Sequence, residues 1–189
     1  MDTLTREYHL FTPYDLTVCK ASNRRPKSKS GLTEALAATA EDLMEYKLTL
    51  TDVADEEVRK AIVGPLVEYN TSQAGSGNGR PLVITMSNEA GEVVGGLWGY
   101  TGYEWLFTQL LVVPASHRGT GIGSKLLSMA EKEAISRGCI GAWLDTFEFQ
   151  ARGFYEAIGY TCFAELPNYP TGFSRYFMKK SLRREPNEA

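Results

Sequence analysis

The stretch Leu106–Leu127 constrains this chain most. It opens with Leu-Phe-Thr-Gln-Leu-Leu-Val-Val, a nearly unbroken apolar run rich in β-formers, which suits a strand buried on both faces. Pro114 ends the run, because proline cannot donate to a strand ladder. Arg118-Gly119-Thr120-Gly121-Ile122-Gly123 comes next. The apolar period then becomes helical: Ile122, Leu126 and Ala130 share one face, with Leu127 and Ala134 beside them. The predicted order is strand, glycine-rich turn, helix.

That order has a chemical use. A helix start carries unpaired N–H groups and partial positive charge. Glycines remove the side chains that would hold a bulky anion away from those groups. The result is a cradle for phosphate or pyrophosphate, with Arg118 adding a permanent cation at its edge. The spacing selects among phosphate ligands. A Walker loop needs Gly-Lys-Ser/Thr, but here Gly123 is followed by Ser124 and then Lys125. The dinucleotide fingerprint also fails, since the glycines fall at 119, 121 and 123. A nucleotide-hydrolysing protein is therefore disfavoured.

What remains is Arg-x-x-Gly-x-Gly, filled by Arg118, Gly121 and Gly123, preceded by Val112-x-Pro114. Some thirty residues on comes Phe154-Tyr155-Glu156-Ala157-Ile158-Gly159-Tyr160. Gly159 there suits a helix C-terminus, and Tyr160-Thr161-Cys162-Phe163 begins a β-like run. These two stretches, in this order, resemble the acyl-CoA motif and the later aromatic-Tyr-Glu signature of the GNAT superfamily of N-acetyltransferases. The resemblance covers Lys47 to Leu182.

The resemblance implies an α/β (α+β) fold: a mixed, largely antiparallel central sheet of six to seven strands with helices on both faces. It implies acetyl-CoA as cosubstrate and direct transfer of the acetyl group to a primary amine of a small molecule or protein. The loop residues Arg118, Gly119, Thr120, Gly121, Ile122, Gly123 and Ser124 would hold the coenzyme pyrophosphate. Backbone groups of Leu110, Leu111, Val112 and Val113 would pair with the pantetheine arm as an added strand does, and a bulge there could free an N–H for the thioester oxygen. Tyr155 would contact the coenzyme and donate to the departing sulfur, since a phenol of pKa ~10 can protonate a thiolate while staying neutral itself. The alternative for Tyr155 is a packed aromatic flanked by Phe154.

The base is not singled out. Glu104, Asp145 and Glu148 are candidates, each also readable as a surface charge, and a water chain is a further route. By a period of two, Glu104 falls on the face of Leu106 and Leu110. Asp145 ends a buried strand. Glu148 occupies a place where many family members have a coenzyme-binding Asn, so that contact is in doubt and a non-catalytic acyl-CoA-sensing module stays open as an alternative. His117 abuts the loop and His9 lies near the start, so a histidine-based triad is not expected. Arg152 could approach a coenzyme phosphate or be an exposed helical arginine. Trp98, Tyr103, Trp105, Tyr169 and Phe173 could line an amine pocket or pack.

Composition excludes several classes. Net charge is −3 over 189 residues, which argues against nucleic-acid binding driven by bulk charge. Cys19, Cys139 and Cys162 cannot all pair, and no short Cys/His spacing suggests a metal. No apolar run is long enough to span a membrane, and the N-terminus lacks a signal-like apolar core. The expectation is a cytoplasmic protein with reduced thiols.

Along the chain, residues 1–43 read as an extension. The basic, turn-rich Asn23–Gly31 looks like an exposed loop, and Gly31–Leu43 like a short helix. An acetyltransferase domain over 44–183 and a polar tail over 184–189 are expected. Within the domain the patterns predict a strand over Tyr46–Leu50 and a helix over about 54–70, capped by Thr51 or Asp52. The Gly/Ser-rich loop Ser72–Arg80 is expected near the amine entrance. A hairpin over Pro81–Tyr100 leads to the central strand Tyr103–Val113. After the glycine-turn helix, which ends near Arg137-Gly138, come a strand Ile140–Thr146, the Tyr155 helix and two closing strands, Tyr160–Leu166 and Ser174–Lys180. An exposed last strand could pair across a homodimer.

Overall fold

The computed structural model describes residues 47–183. The chain divides into two compact units, Met1–Ala54 and Asp55–Ala189. The expected extension over 1–43, Tyr46 and the tail over 184–189 lie outside the described residues. In the first unit, residues 47–54 carry no helix or strand. The strand expected over Tyr46–Leu50 is thus absent from its described part: Leu48 and Leu50 stand almost fully exposed, and alternation over so few residues cannot fix a strand without a neighbour.

The second unit begins with α1, Glu56–Ala74. Its N-cap is Asp55, where Thr51 or Asp52 was expected. The Asp55 carboxylate accepts from the amides of Glu57 and Val58 at 2.8 and 3.0 Å, satisfying two of the orphan donors of the first turn. Glu56 and Glu57 complement the positive helix start.

Six strands follow with two further helices: β1 Arg80–Ser87, β2 Val93–Gly102, β3 Trp105–Val112, α2 Ile122–Ser136, β4 Gly141–Phe147, α3 Arg152–Ala157, β5 Thr161–Leu166 and β6 Arg175–Ser181. The sheet order is β1-β2-β3-β4-β6-β5. Among the described residues only β3 and β4 run parallel; the other neighbours are antiparallel. The expected mixed, largely antiparallel sheet is therefore present.

The helical period after Gly123 places Leu126, Leu127, Ala130 and Ala134 on one buried face of α2. They share the core with Leu82, Leu97, Leu106, Leu144 and Met178 from five strands. Each large side chain buried this way contributes about 1.5–3 kcal/mol.

Two irregularities shape the middle of the sheet. Opposite Trp98 and Gly99 of β2 stand Leu110 and Thr108 of β3, so Gln109 is an extra, bulged residue. A Cβ on Gly99 would come within 2.2 Å of the Phe107 carbonyl oxygen, so the strands approach this closely only with glycine there. Second, β3 and β4 pair only from Trp105–Gly141 to Thr108–Leu144. Beyond Thr108 the two strands part and the sheet forks. The expectation of a β3 buried on both faces holds for its first half. Leu106, Phe107 and Thr108 are buried, whereas Leu110 and Val112 are exposed beside the fork.

Candidate active site

The fork opens into a cavity of about 860 Å³. One wall is the second half of β3: Thr108, Gln109 and the expected coenzyme segment Leu110, Leu111, Val112 and Val113. One end is the glycine turn, and the other wall carries Asp145, Thr146 and Tyr155 from β4 and α3.

The turn is built by its sequence. Pro114 ends β3 and a single 3-10 turn, Ala115–His117, redirects the chain. Arg118 Nε donates to the Val113 carbonyl at 3.2 Å, and Thr120 Oγ1 to the His117 carbonyl at 2.7 Å. Gly119 and Gly121 adopt φ of +77° and +85°, values that favour glycine. Gly121 is the N-cap of α2, and no side chain caps that helix start. Its first turn carries no acidic residue, and Gly121, Gly123 and Ser124 line the cavity, so the positive end of the helix borders it. Gly123 has a different reason: a Cβ there would meet the Phe154 ring at 3.1 Å, so α2 and α3 close together over this residue. Arg118, Gly119, Gly121, Gly123 and Ser124 line the cavity. Thr120 and Ile122 are not among its walls; Thr120 ties the turn together, and Ile122 packs against the core.

Tyr155 is 8% exposed and lies on the opposite wall. Its ring packs edge-on against Phe154 and Tyr160, with centroids 5.1 and 6.0 Å apart. Burial, and then the charge of Asp145, push its phenol up to about 12. It stays protonated at physiological pH and so can donate a hydrogen bond or a proton. Gly159, at φ +92°, lets the chain leave α3 into β5 as its sequence suggested.

The three acidic candidates are not brought together. Glu104 has φ +60° and forms, with Tyr103, the turn between β2 and β3. It lines a second cavity of about 620 Å³, with Asn78 and Cys139, at the end of β3 away from the fork. The Gln109 bulge also breaks the period of two, so Leu106 and Leu110 lie on opposite faces, and the shared face expected for Glu104 does not exist. Glu148 is not a cavity wall: its Oε2 accepts from the Ser174 amide at 2.9 Å, and its own amide donates to the Ser174 carbonyl at 2.8 Å. It fastens the start of β6. Asp145 alone lines the cavity, and its Oδ2 accepts from Arg175 Nε at 2.7 Å. The Gly/Ser-rich loop lies at the Glu104 end, where the Tyr103 amide donates to the Gly77 carbonyl at 2.7 Å.

Sequence reasoning missed four cavity neighbours. Arg175 holds Asp145 from β6, a cross-strand pairing that no local spacing announces. Phe149 and Gln150 follow β4 in the wall, and Gln150 Oε1 accepts from Thr146 Oγ1 at 3.2 Å and from the Phe147 amide at 2.8 Å. Thr108 is a polar residue inside an apolar run, which is the one local signal it carried. Arg152 pairs with Glu156 at 2.8 Å and stacks on Tyr176, as an exposed helical arginine does. Of the aromatic candidates, Tyr169 packs against Phe147 and Phe173 against the cavity residue Phe149, while Trp105 covers Gly141. Among the described residues no group of His, Cys, Asp and Glu could hold a metal ion, and no helix is long and apolar enough to cross a membrane.

Known proteins are similar to this chain in sequence and fold. The chain is 47% identical over 131 residues to an acetyltransferase of Agrobacterium fabrum, covering 69% of this chain and 96% of that protein. It is 42% identical over 107 residues to the blasticidin-S acetyltransferase of Streptomyces morookaense, covering 54% of this chain and 79% of that one. A crystal structure of an acetyltransferase from Agrobacterium tumefaciens superposes with a TM-score of 0.69 at 45% identity, over 72% of this chain and 99% of that one. The acetyltransferase (GNAT) family matches residues 50–160, a span that holds β1 to β4, the glycine turn and Tyr155, and the chain belongs to that family.

Proposed function

We propose that this acetyltransferase moves the acetyl group of acetyl-CoA directly to a primary amine. The observation that carries the reading is a single cavity running from the uncapped glycine turn of α2 to Tyr155, along the half of β3 that has left its neighbour. The residues suit the coenzyme: a cation and open amides for a pyrophosphate, unpaired strand backbone for an extended arm with amides of its own, and a buried phenol at the far wall. Acetyl-CoA would supply an acyl group activated as a thioester. Arg118 and the amides after Gly121 would hold its pyrophosphate, and Leu110 to Val113 its pantetheine arm.

In the reaction a C–N bond forms as the C–S bond breaks; the amine gives up one proton and the sulfur takes one. Tyr155 is the acid for the sulfur: its phenol is protonated and lines the cavity on the wall opposite β3. We assign the amine's proton to Asp145, directly or through water, because it lines this cavity, whereas Glu104 lines the other one and Glu148 Oε2 accepts from the Ser174 amide. Its pairing with Arg175 fixes where that carboxylate stands in the cavity wall. We assign the catalytic unit to residues 44–183.

The test is thiol release from acetyl-CoA with blasticidin S, spermidine and a lysine peptide as acceptors, with the product identified by mass. Blasticidin S comes first because a relative acts on it. Amine-dependent thiol release with a matching N-acetyl product is the expected result. Acetyl-CoA binding without release from any acceptor would contradict the reading and favour a sensing role.

A further inference from the structure

Thr108 is the last residue of β3 paired to β4, opposite Leu144, and so stands where the sheet forks. It is 4% exposed, and its Oγ1 is buried with no hydrogen-bond partner in the protein. It is also a wall of the cavity that holds Tyr155 and Asp145. Burial alone does not leave a threonine on this sheet unpaired: Thr146, 2% exposed, donates to Gln150 at 3.2 Å. An unpaired buried hydroxyl destabilises a fold, where a valine of the same shape would not. A hydroxyl kept at the fork against that cost has a partner that arrives from outside.

We propose that Thr108 Oγ1 binds the nitrogen of the acceptor amine. The inference rests on the acetyl-transfer reading of this cavity. Position separates the nitrogen from the nucleotide: Thr108 lies five residues before Val113, roughly 16 Å along the strand from the pyrophosphate turn, at the reacting end. Chemistry points the same way. A hydroxyl accepts from an amine N–H and turns its own hydrogen toward a carboxylate or water, so it serves the acceptor before and after deprotonation. Gln150 is engaged by Thr146 and Phe147, Asp145 is assigned the amine's proton, and Tyr155 is reserved for the sulfur. Thr108 neither gains nor loses a proton; it aims the nitrogen lone pair at the acyl carbon.

Thr108→Val and Thr108→Ser are compared with the parent chain, using blasticidin S and spermidine as acceptor probes. Thr108→Val lowers kcat/KM for the acceptor about tenfold, mainly through KM, while acetyl-CoA affinity by calorimetry is unchanged. Thr108→Ser restores most of the loss. Without ligands, Thr108→Val raises Tm by about 2–4 °C, because the orphan hydroxyl is gone. Four results overturn the proposal: unchanged acceptor kinetics, a loss that Ser does not restore, weakened acetyl-CoA binding, or a lower Tm for the valine variant. The Tm arm can overturn the proposal even if neither probe is turned over. If the parent chain fails to bind acetyl-CoA, the reading of the whole cavity fails; if it binds and Thr108→Val behaves as the parent, only the Thr108 assignment does.

Discussion

Tyr155 stands in the motif as a candidate acid and in the fold as a buried, protonated phenol on the cavity wall. Replacing it with Phe should lower turnover about a hundredfold, the lower range of general acid catalysis, while acetyl-CoA affinity by calorimetry stays within about twofold. The same phenol leaves a mark on stability. Its folded pKa of about 12 lies above the unfolded value of 10.0, so the stability it adds is complete below pH 10 and is lost as pH rises toward 12. The parent chain should therefore lose about 2–3 kcal/mol more than Tyr155→Phe over that window, measured by denaturant unfolding at stepped pH. Equal pH slopes would contradict the burial of the hydroxyl. Burial, and then the charge of Glu131, raise the Tyr160 phenol in the same direction, so some alkaline loss remains in the variant. Asp145, Glu104 and Glu148 show where residue-level reading stops. All three carboxylates look alike in the sequence; a β-turn, an amide of Ser174 and the guanidinium of Arg175 tell them apart.

The elements were legible where a periodic pattern met a breaker. Pro114, the glycine turn and the four buried positions of α2 fix the β3–α2 unit, and Gly159 fixes the exit of α3. Two things were not legible. The bulge at Gln109 depends on how β2 and β3 approach, and a glycine at 99 allows it without announcing it. The capping choice fell to Asp55 because its carboxylate reaches two amides, while Thr51 accepts from Val53 just outside the helix. Gly99→Ala should expose how tightly the bulge is held. Its Cβ would meet backbone rather than a movable side chain, so a loss of about 1–3 kcal/mol is expected by chemical denaturation. A neutral effect would mean that the strands open easily there.

For the unit over Asp55–Ala189, the site depends on how the strands divide the sheet. The β1-β2-β3 part and the β4-β6-β5 part meet through four residue pairs between β3 and β4, and the cavity lies where that pairing stops. Sequence resemblance implied such a sheet and the coenzyme segment along β3, but the fork belongs to no single stretch of chain. A ligand bridging the glycine turn and the β4 side should bind only the folded state. Acetyl-CoA at a hundredfold excess over its Kd should then raise stability by about 2.7 kcal/mol, seen as a Tm increase of several degrees that ATP does not produce. The most direct measurement is a calorimetric titration with acetyl-CoA, run beside ATP and beside an Arg118→Ala, Gly121→Val variant whose folding is confirmed by circular dichroism. Binding of acetyl-CoA but not ATP, lost in the variant, is the predicted result. No acetyl-CoA binding by the parent chain, or equal binding by the folded variant, would contradict the assignment of the glycine turn and with it the proposed function.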